Sequence, residues 1–284
     1  MAINLGTKFT ITTQDLMLQS KWSKDFQLAR EKRLVFGKLV RRYDVSNCDE
    51  LIIPKVSNLA DPAAITADGD LSDVTPDTEG AVTLLLDKKF GYILNFPDEV
   101  SLKTQYEWMK AYTEKAAFGC ANKVDSDLAA LWSGLTTHVV GDYTSDVNSI
   151  RILTAHRKLN ESNVPREDRA LVVRPNQEAV ILDLDRFIRS DAVPYGKGDS
   201  PLLTAEIGQM YGFKVAVSNN VVDSGGGYNN LAFHREAFAL GMLQDMRIKE
   251  LGSTHFATRK GISTFYGVIE LRDDHGVVVK SKNT

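Results

Sequence analysis

DEVSLKTQYEWMKAYTEKAAFGCANKVDSDLAALWSGL, residues Asp98 to Leu135, is the segment whose reading decides the fold. Its apolar positions are Leu102, Tyr106, Met109, Tyr112 or Thr113, Ala116, Cys120, Val124, Leu128, Leu131 and Leu135. They recur three or four residues apart, which is the stripe of an amphipathic helix. Pro97 and Asp98 supply a start, Ser101 a cap for the first turn and Gly134 a stop. About 34 helical residues at ~1.5 Å each would make a rod on the order of 50 Å, longer than a compact domain commonly uses. Two readings follow: a long core helix, or a spine linking two separated parts of one subunit.

On the N-terminal side, residues 12 to 42 carry a helical pattern after the cap-rich Thr12 to Asp15, as two helices or one broken helix. Between Lys21 and Arg42 it is strongly basic: Lys21, Lys24, Arg30, Lys32, Arg33, Lys38, Arg41 and Arg42 stand against Asp25 and Glu31. It is either a solvated helix face or an arm lying against something acidic. Leu51 to Pro54 reads as a short strand, and Val82 to Phe96, broken at Asp87 to Lys89, as a second that can pair with it. Between them, Val56 to Ala81 contains Asp61, Asp68, Asp70, Asp73, Asp77 and Glu79 and not one Lys or Arg. So long a loop is a functional projection or a disordered segment. Opposite charges in separate projections suit contact between copies of one chain.

On the C-terminal side the pattern alternates. A loop at Gly141 to Asn148 precedes a helix capped by Ser149 and running to about Asn160, then a buried strand at Ala170 to Val173. Arg174-Pro175-Asn176 turns into a helix with the stripe Val180, Leu182, Leu184, Phe187 and Ile188, and Val193 to Pro201 is a loop. Thr204 to Met210 reads as helical, Gly212 to Val217 and Asn230 to Phe233 as strands, and Arg235 to Met242 as a helix. From Arg247 onward the pattern is β: Phe256 to Thr258, Ile262 to Leu271, a turn at Asp273 to Gly276 and Val277 to Val279, able to pair with earlier strands. Strand-helix spacing of this kind indicates a sheet flanked by helices.

The composition, with 284 residues, 43% hydrophobic and 25% charged, excludes a disordered chain. A net charge of -3 argues against bulk nucleic-acid binding. No apolar run is long enough for a membrane span and no signal peptide is evident, so a cytosolic origin is expected. Cys48 and Cys120 lack metal-ligand spacing; Cys120 falls on the apolar stripe as a buried thiol, and no disulfide is expected. His138, His156, His234, His255 and His275 are scattered, are taken as outside any HExxH, HxE or CxxC spacing, and read as structural or surface residues. Asp68, Asp70, Ser72 and Glu79 fit four positions of a calcium loop, but Asp73 occupies the place of its glycine and Pro76 intrudes. Gly225 to Gly227 is a hairpin link rather than a phosphate cradle. Lys88 and Lys89 read as solvent-facing strand charges or as partners for a neighbouring subunit. No catalytic set, metal site or cofactor is called for.

The order of a basic arm, a strand ending Ile52-Ile53-Pro54, a long acidic hairpin loop, a spine helix and an α/β region resembles a known family. So do Gly212-Phe213-Lys214-Val215-Ala216-Val217-Ser218-Asn219-Asn220, Leu231-Ala232-Phe233-His234-Arg235-Glu236-Ala237 and Phe265-Tyr266-Gly267. Together they are similar to the major capsid protein of tailed bacteriophages, the Hong Kong 97 (HK-97) type α+β fold, over about Thr12 to Lys280. The resemblance implies an N-terminal arm over 1–48 and an extended β-hairpin loop over 49–97, lying on a neighbour. It implies a spine helix of a peripheral domain over 98–139, an axial α/β domain over 140–245, and β strands returning to the peripheral domain over 246–284. It also implies self-assembly as pentamers and hexamers into an icosahedral shell in the host cytoplasm, around double-stranded DNA held without sequence-specific contact. The listed acids of the loop and bases of the arm would then be inter-subunit contacts. The chain shows no long N-terminal coiled segment, so a separate or previously cleaved scaffolding protein is expected, together with a portal. A loop Lys, partner Asn and catalytic acid for covalent crosslinking are not all matched. An encapsulin-like nanocompartment shell and a soluble α/β enzyme are the alternatives.

Overall fold

The computed structural model describes residues 34–55, 80–97, 108–183, 208–253 and 257–283. Its elements in chain order begin with α1 (Phe36–Leu39), β1 (Arg41–Asp44), β2 (Glu50–Lys55), β3 (Gly80–Leu85), β4 (Lys88–Pro97) and α2 (Trp108–Ala130). They continue with β5 (Val139–Val140), α3 (Ser149–Glu161), β6 (Arg169–Val173), α4 (Pro175–Leu182), β7 (Gln209–Met210) and β8 (Phe213–Val217). The last four are β9 (Gly227–His234), β10 (Phe238–Ser253), β11 (Ala257–Glu270) and β12 (Gly276–Lys282).

A six-stranded sheet runs in the order β5-β12-β9-β6-β8-β7. The pairs β12 with β5 and β6 with β8 are parallel; the other three are antiparallel. Its central strands carry consecutive apolar runs (Ala170–Val173, Leu231–Phe233, Val277–Val279) because both faces are covered, and the side chains divide with the period of two that a strand imposes. Ala170, Val172, Leu231, Phe233 and Val278 enter one core with Phe36, Leu128, Phe238 and Tyr266. Their sequence neighbours Leu171, Val173, Ala232, Val277 and Val279 enter a second core with Ile152, Ala155 and Leu159 of α3 and Ile181 of α4.

The second sheet is a long ribbon, β1-β10-β11-β4, and a separate two-stranded hairpin joins β2 to β3. Helix α2 lies along the ribbon. Its small residues Ala116 and Cys120 pack on Ile262 of β11 and Leu94 of β4, and Gly119 lets the Tyr92 ring come close: a Cβ there would stand 2.8 Å from its hydroxyl oxygen, so the ring would have to shift. Among the described residues no helix is long and apolar enough to cross a membrane.

Several expectations need correction. Helix α2 ends at Ala130 and tightens into a 3₁₀ turn over Leu131–Ser133, with Gly134 as its cap, so the α-helix stops short of Leu135. Its expected beginning, with Ser101, Leu102 and Tyr106, lies outside the described residues. The cap of α3 is Asn148, whose side chain accepts from Arg151 N at 2.9 Å, rather than Ser149. Leu34 to Arg42 holds only the one-turn α1 before β1, and Met210 belongs to a strand. The largest departure is Arg235 to Met242, read as helix but folded as a 3₁₀ turn (Arg235–Ala237) leading into β10. There Arg41–Asp44 on one side and Glu270–Tyr266 on the other supply ladder partners for Phe238–Met242, and that pairing outweighs a local helical preference.

The strands Leu51 to Pro54, Val82 to Phe96, Ala170 to Val173 and Gly212 to Val217 appear where the sequence places them, allowing for ends. The C-terminal strands do pair with earlier ones, but in two different sheets: β11 with β4, and β12 with β9. Cys120 is buried, and both cysteines are free.

Candidate functional site: a hairpin seated on the ribbon

The hairpin β2–β3 has no helix or sheet to bury both of its faces. Ile52 is 59% exposed and Leu85 54%; an isolated pair of strands in water is marginal, so its base must be fixed elsewhere. Leu86 N donates to Asp49 O at 2.9 Å, closing the base of the hairpin, and Val45 N, ahead of β2, donates to Met242 O of β10 at 2.9 Å, tying it to the ribbon. Leu84 is fully buried.

The seat is made of two glycines. Gly241 and Gly267 face each other across β10 and β11. A Cβ on Gly267 would lie against the Leu85 carbonyl oxygen and 2.9 Å from its carbon; one on Gly241 would lie 2.7 Å from the methyl groups of Leu84 and Leu86. The hairpin therefore rests on bare backbone. The same ribbon leaves Ile93, Ile248 and Leu251 exposed, an apolar surface of the kind that marks contact between proteins.

Buried polar groups hold this frame rigid. Asp125 of α2 is 3% exposed. One carboxylate oxygen accepts from Val35 N at 3.0 Å, Phe36 N at 2.8 Å and Gly37 N at 3.4 Å; the other accepts from Asn220 at 2.9 Å. It serves as a remote cap for α1, satisfying amides a helix start leaves open. Two residues on, Asp127 accepts from Lys123 (2.6 Å), Lys88 (3.2 Å) and the Tyr266 hydroxyl (2.9 Å). Burial alone would raise its pKa, but these three donors together outweigh that and hold it below the usual carboxylate range, while burial and Asp127 push the Tyr266 phenol up.

In the six-stranded part, Arg151 bridges Asp142, Ser145 and the Lys280 carbonyl, joining α3 to β12. Arg169 is 1% exposed, and among the described residues no carboxylate pairs with it. It donates instead to the carbonyls of Val164 (2.6 Å) and Pro165 (2.8 Å), beyond the end of α3, and to Asn160 (2.9 Å) in its last turn. His156 Nδ1 lies 3.3 Å from Arg169 Nη1 and accepts from it. Burial first, then the charges of Arg169 and Arg166, lower the His156 pKa from 6.5. The unfolded chain therefore binds this proton more readily, so the stability from a neutral His156 is complete above pH 6.5 and is lost as pH falls towards the lowered value. The thermal midpoint is expected to fall below pH 6.5, less steeply in His156→Gln; identical slopes in the two would contradict this assignment.

Of the sequence-derived contact residues, Asp61, Asp68, Asp70, Asp73, Asp77, Glu79, Lys21, Lys24, Arg30, Lys32 and Arg33 lie outside the described residues. Lys38 is exposed. Arg41 pairs with Glu236 at 3.0 Å and Arg42 with Asp44 at 2.8 Å, both within the chain. Lys88 is not a free strand charge, because Asp127 holds it, and Lys89 lies over the Phe265 ring at 4.8 Å. His255 also lies outside the described residues. Sequence reasoning missed the Asp125 cap, the glycine seat and a group formed by His234, Glu236 and His275, whose ligand atoms all lie within 4.8 Å of one another. Contrary to the expectation that no histidine has an HxE spacing, His234-Arg235-Glu236 is one, and it was the group's one visible signal.

No protein-family model and no curated protein sequence matches the chain. Solved structures do match. A chain of Mycobacterium phage Che8 is 24% identical, with a TM-score of 0.78 over 92% of this chain and 96% of that one. The capsid structure of cyanophage P-SCSP1u is 16% identical, with a TM-score of 0.79 over 100% and 97%. The capsid of a native GTA particle gives 12%, a TM-score of 0.71, and 98% and 100% coverage. The chain thus has the mixed helix-and-sheet fold found in phage capsid structures, over its whole length.

Proposed function

We propose that this chain is the major capsid protein of a tailed bacteriophage, a structural protein that self-assembles into the icosahedral shell enclosing double-stranded DNA. The observation that supports this most is the match to capsid structures over 98–100% of this chain and 97–100% of theirs. On this reading 1–48 is the arm, 49–97 the extended loop, 98–139 the spine helix of a peripheral domain and 140–245 the axial domain. Of the strands expected to return to the peripheral domain over 246–284, β10 and β11 run beside β4, whereas β12 joins the six-stranded sheet. The partners are copies of itself in pentamers and hexamers, a scaffolding protein, a portal and the packaged DNA, and the location is the virion. An apolar hairpin fixed at its base and exposed along its length is suited to lie on a second copy. Each contact can be weak because closed symmetry repeats it.

The acidic loop carries the charge part of the proposal. Arg41 and Arg42 pair within their own chain, so the proposal assigns a neighbour's Asp61 to Glu79 to the rest of the arm's cations, Lys21, Lys24, Arg30, Lys32, Arg33 and Lys38. Reversing Asp70, Asp73 and Asp77 to Lys turns that attraction into repulsion, which across an interface costs several kcal/mol. Shell yield in sedimentation is expected to fall about tenfold or more, since ~1.4 kcal/mol is already a factor of ten, with the circular dichroism of the subunit unchanged. Normal shells from the triple variant would refute the charge pairing.

A further inference from the structure

The pair of turns at the edge of the six-stranded sheet holds a second constellation, independent of assembly. His234 ends β9, Glu236 lies in the 3₁₀ turn Arg235–Ala237, and His275 lies in the 3₁₀ turn Asp273–His275. The two turns are bolted together: Leu271 N donates to Ala237 O at 2.8 Å and Arg272 N to the same oxygen at 3.4 Å. The imidazoles are buried, with ring centres 5.8 Å apart and planes at 67°.

We infer that His234, Glu236 and His275 form a binding site for a divalent cation of the zinc type. Two imidazoles and one carboxylate are the ligand set zinc takes when a fourth position is left for water. The Nδ1 of His275 lies 3.0 Å from Asp274 Oδ1. A carboxylate can only accept, so this nitrogen carries the proton and Nε2 keeps its lone pair for a metal, the outer-shell arrangement that orients ligating histidines. Glu236 gives one oxygen to Arg41 at 3.0 Å and keeps the other. His234 Nδ1 accepts a long 3.3 Å bond from Glu236 N, the cap of the 3₁₀ turn, which a cation taking that nitrogen would displace at the cost of freeing one amide. Ligands ~2.0–2.1 Å from zinc stand about 3.4 Å apart, so the group closes inward. The half-exposed side chain of Glu236 is the one free to make that movement.

The cation would clamp β9 to the turn before β12. The test uses purified protein stripped with chelator and desalted, with zinc sulfate as the probe and a chromophoric chelator reporting free metal. One zinc per chain is expected, with affinity falling about tenfold or more in His275→Gln and Glu236→Gln and about 10–100-fold in Asp274→Asn, which only releases the orienting bond. The Lys214→Ala chain is expected to match the wild type. Excess zinc should also raise the thermal midpoint of the wild type by several degrees and leave that of His275→Gln unmoved. If His275→Gln does not fold, the solvent-facing changes at Glu236 and Asp274 carry the same test. A wild-type chain that takes up no zinc, or uptake unchanged in Glu236→Gln and Asp274→Asn, overturns the inference.

Discussion

A Gly267→Val chain is expected to fold and to fail in assembly. The new side chain grows from β11 straight into the backbone of β3: its Cβ alone meets the Leu85 carbonyl. Backbone cannot turn aside as a flexible side chain can, so the base of the hairpin must lift. Overpacking of this kind costs typically ~1–3 kcal/mol, which the two-core body can absorb. The hairpin cannot, because Leu84, fully buried under it, is its anchor, and a small tilt at the base becomes a large displacement at the tip. Shell yield in sedimentation should fall more than about tenfold while hydrogen exchange increases over β2 and β3 only. Gly80→Ala is the matched control, since a Cβ there meets nothing within 4 Å; it should assemble normally. Wild-type shells from Gly267→Val would show that the seat does not set the hairpin.

An Asp125→Ala chain is expected to lose more stability than any other single substitution in α2. The change strands the amides of Val35 and Phe36 and takes one acceptor from Asn220, which keeps Asn122 at 3.0 Å. Buried donors left without an acceptor, together with the loss of charge-assisted bonds, amount to about 3–5 kcal/mol. The measurement is urea unfolding monitored by circular dichroism, with the midpoint shifting at constant slope. The loss includes the Phe36 contact with Phe233, whose rings stack at 6.3 Å, so α1 and the first ribbon strand should loosen together. A shift below about 1 kcal/mol, the level of an ordinary surface substitution, would mean that water replaces the carboxylate and the cap is dispensable.

These two residues also show where the sequence is informative and where it stops. The strands at Ala170 to Val173 and Gly212 to Val217 are legible as short apolar runs, and Cys120 falls on the stripe that buries it. Those signals are local, because burial of a strand or helix face is written in its own period. Asp125 sits among the same helix's residues with nothing local to distinguish it from a solvated acid; its partners come from Val35 and Asn220, far away in the chain. Gly241 and Gly267 are two glycines among 20, and their role depends on a hairpin whose position no period encodes.

Arg235 to Met242 was misread for a related reason. Its spacing of Ala237, Phe238 and Leu240 suits a helix, and only the two flanking strands decide otherwise. The site chemistry divides in the same way. Two of the arm's cations proved to have partners in their own chain, and the His234–Glu236–His275 group joins two turns that only the sheet brings together. Charge separation along the chain was legible; which charges are already spent was not.

The claim on which the account rests is that copies of this chain build a closed shell. Size-exclusion chromatography of the recombinant protein, alone and with a co-encoded scaffolding protein, followed by negative-stain electron microscopy of each peak, tests it most directly. Hollow shells, tubes or ring-shaped capsomers are the expected result. A stable, featureless monomer under every condition, with scaffold and without, would contradict it.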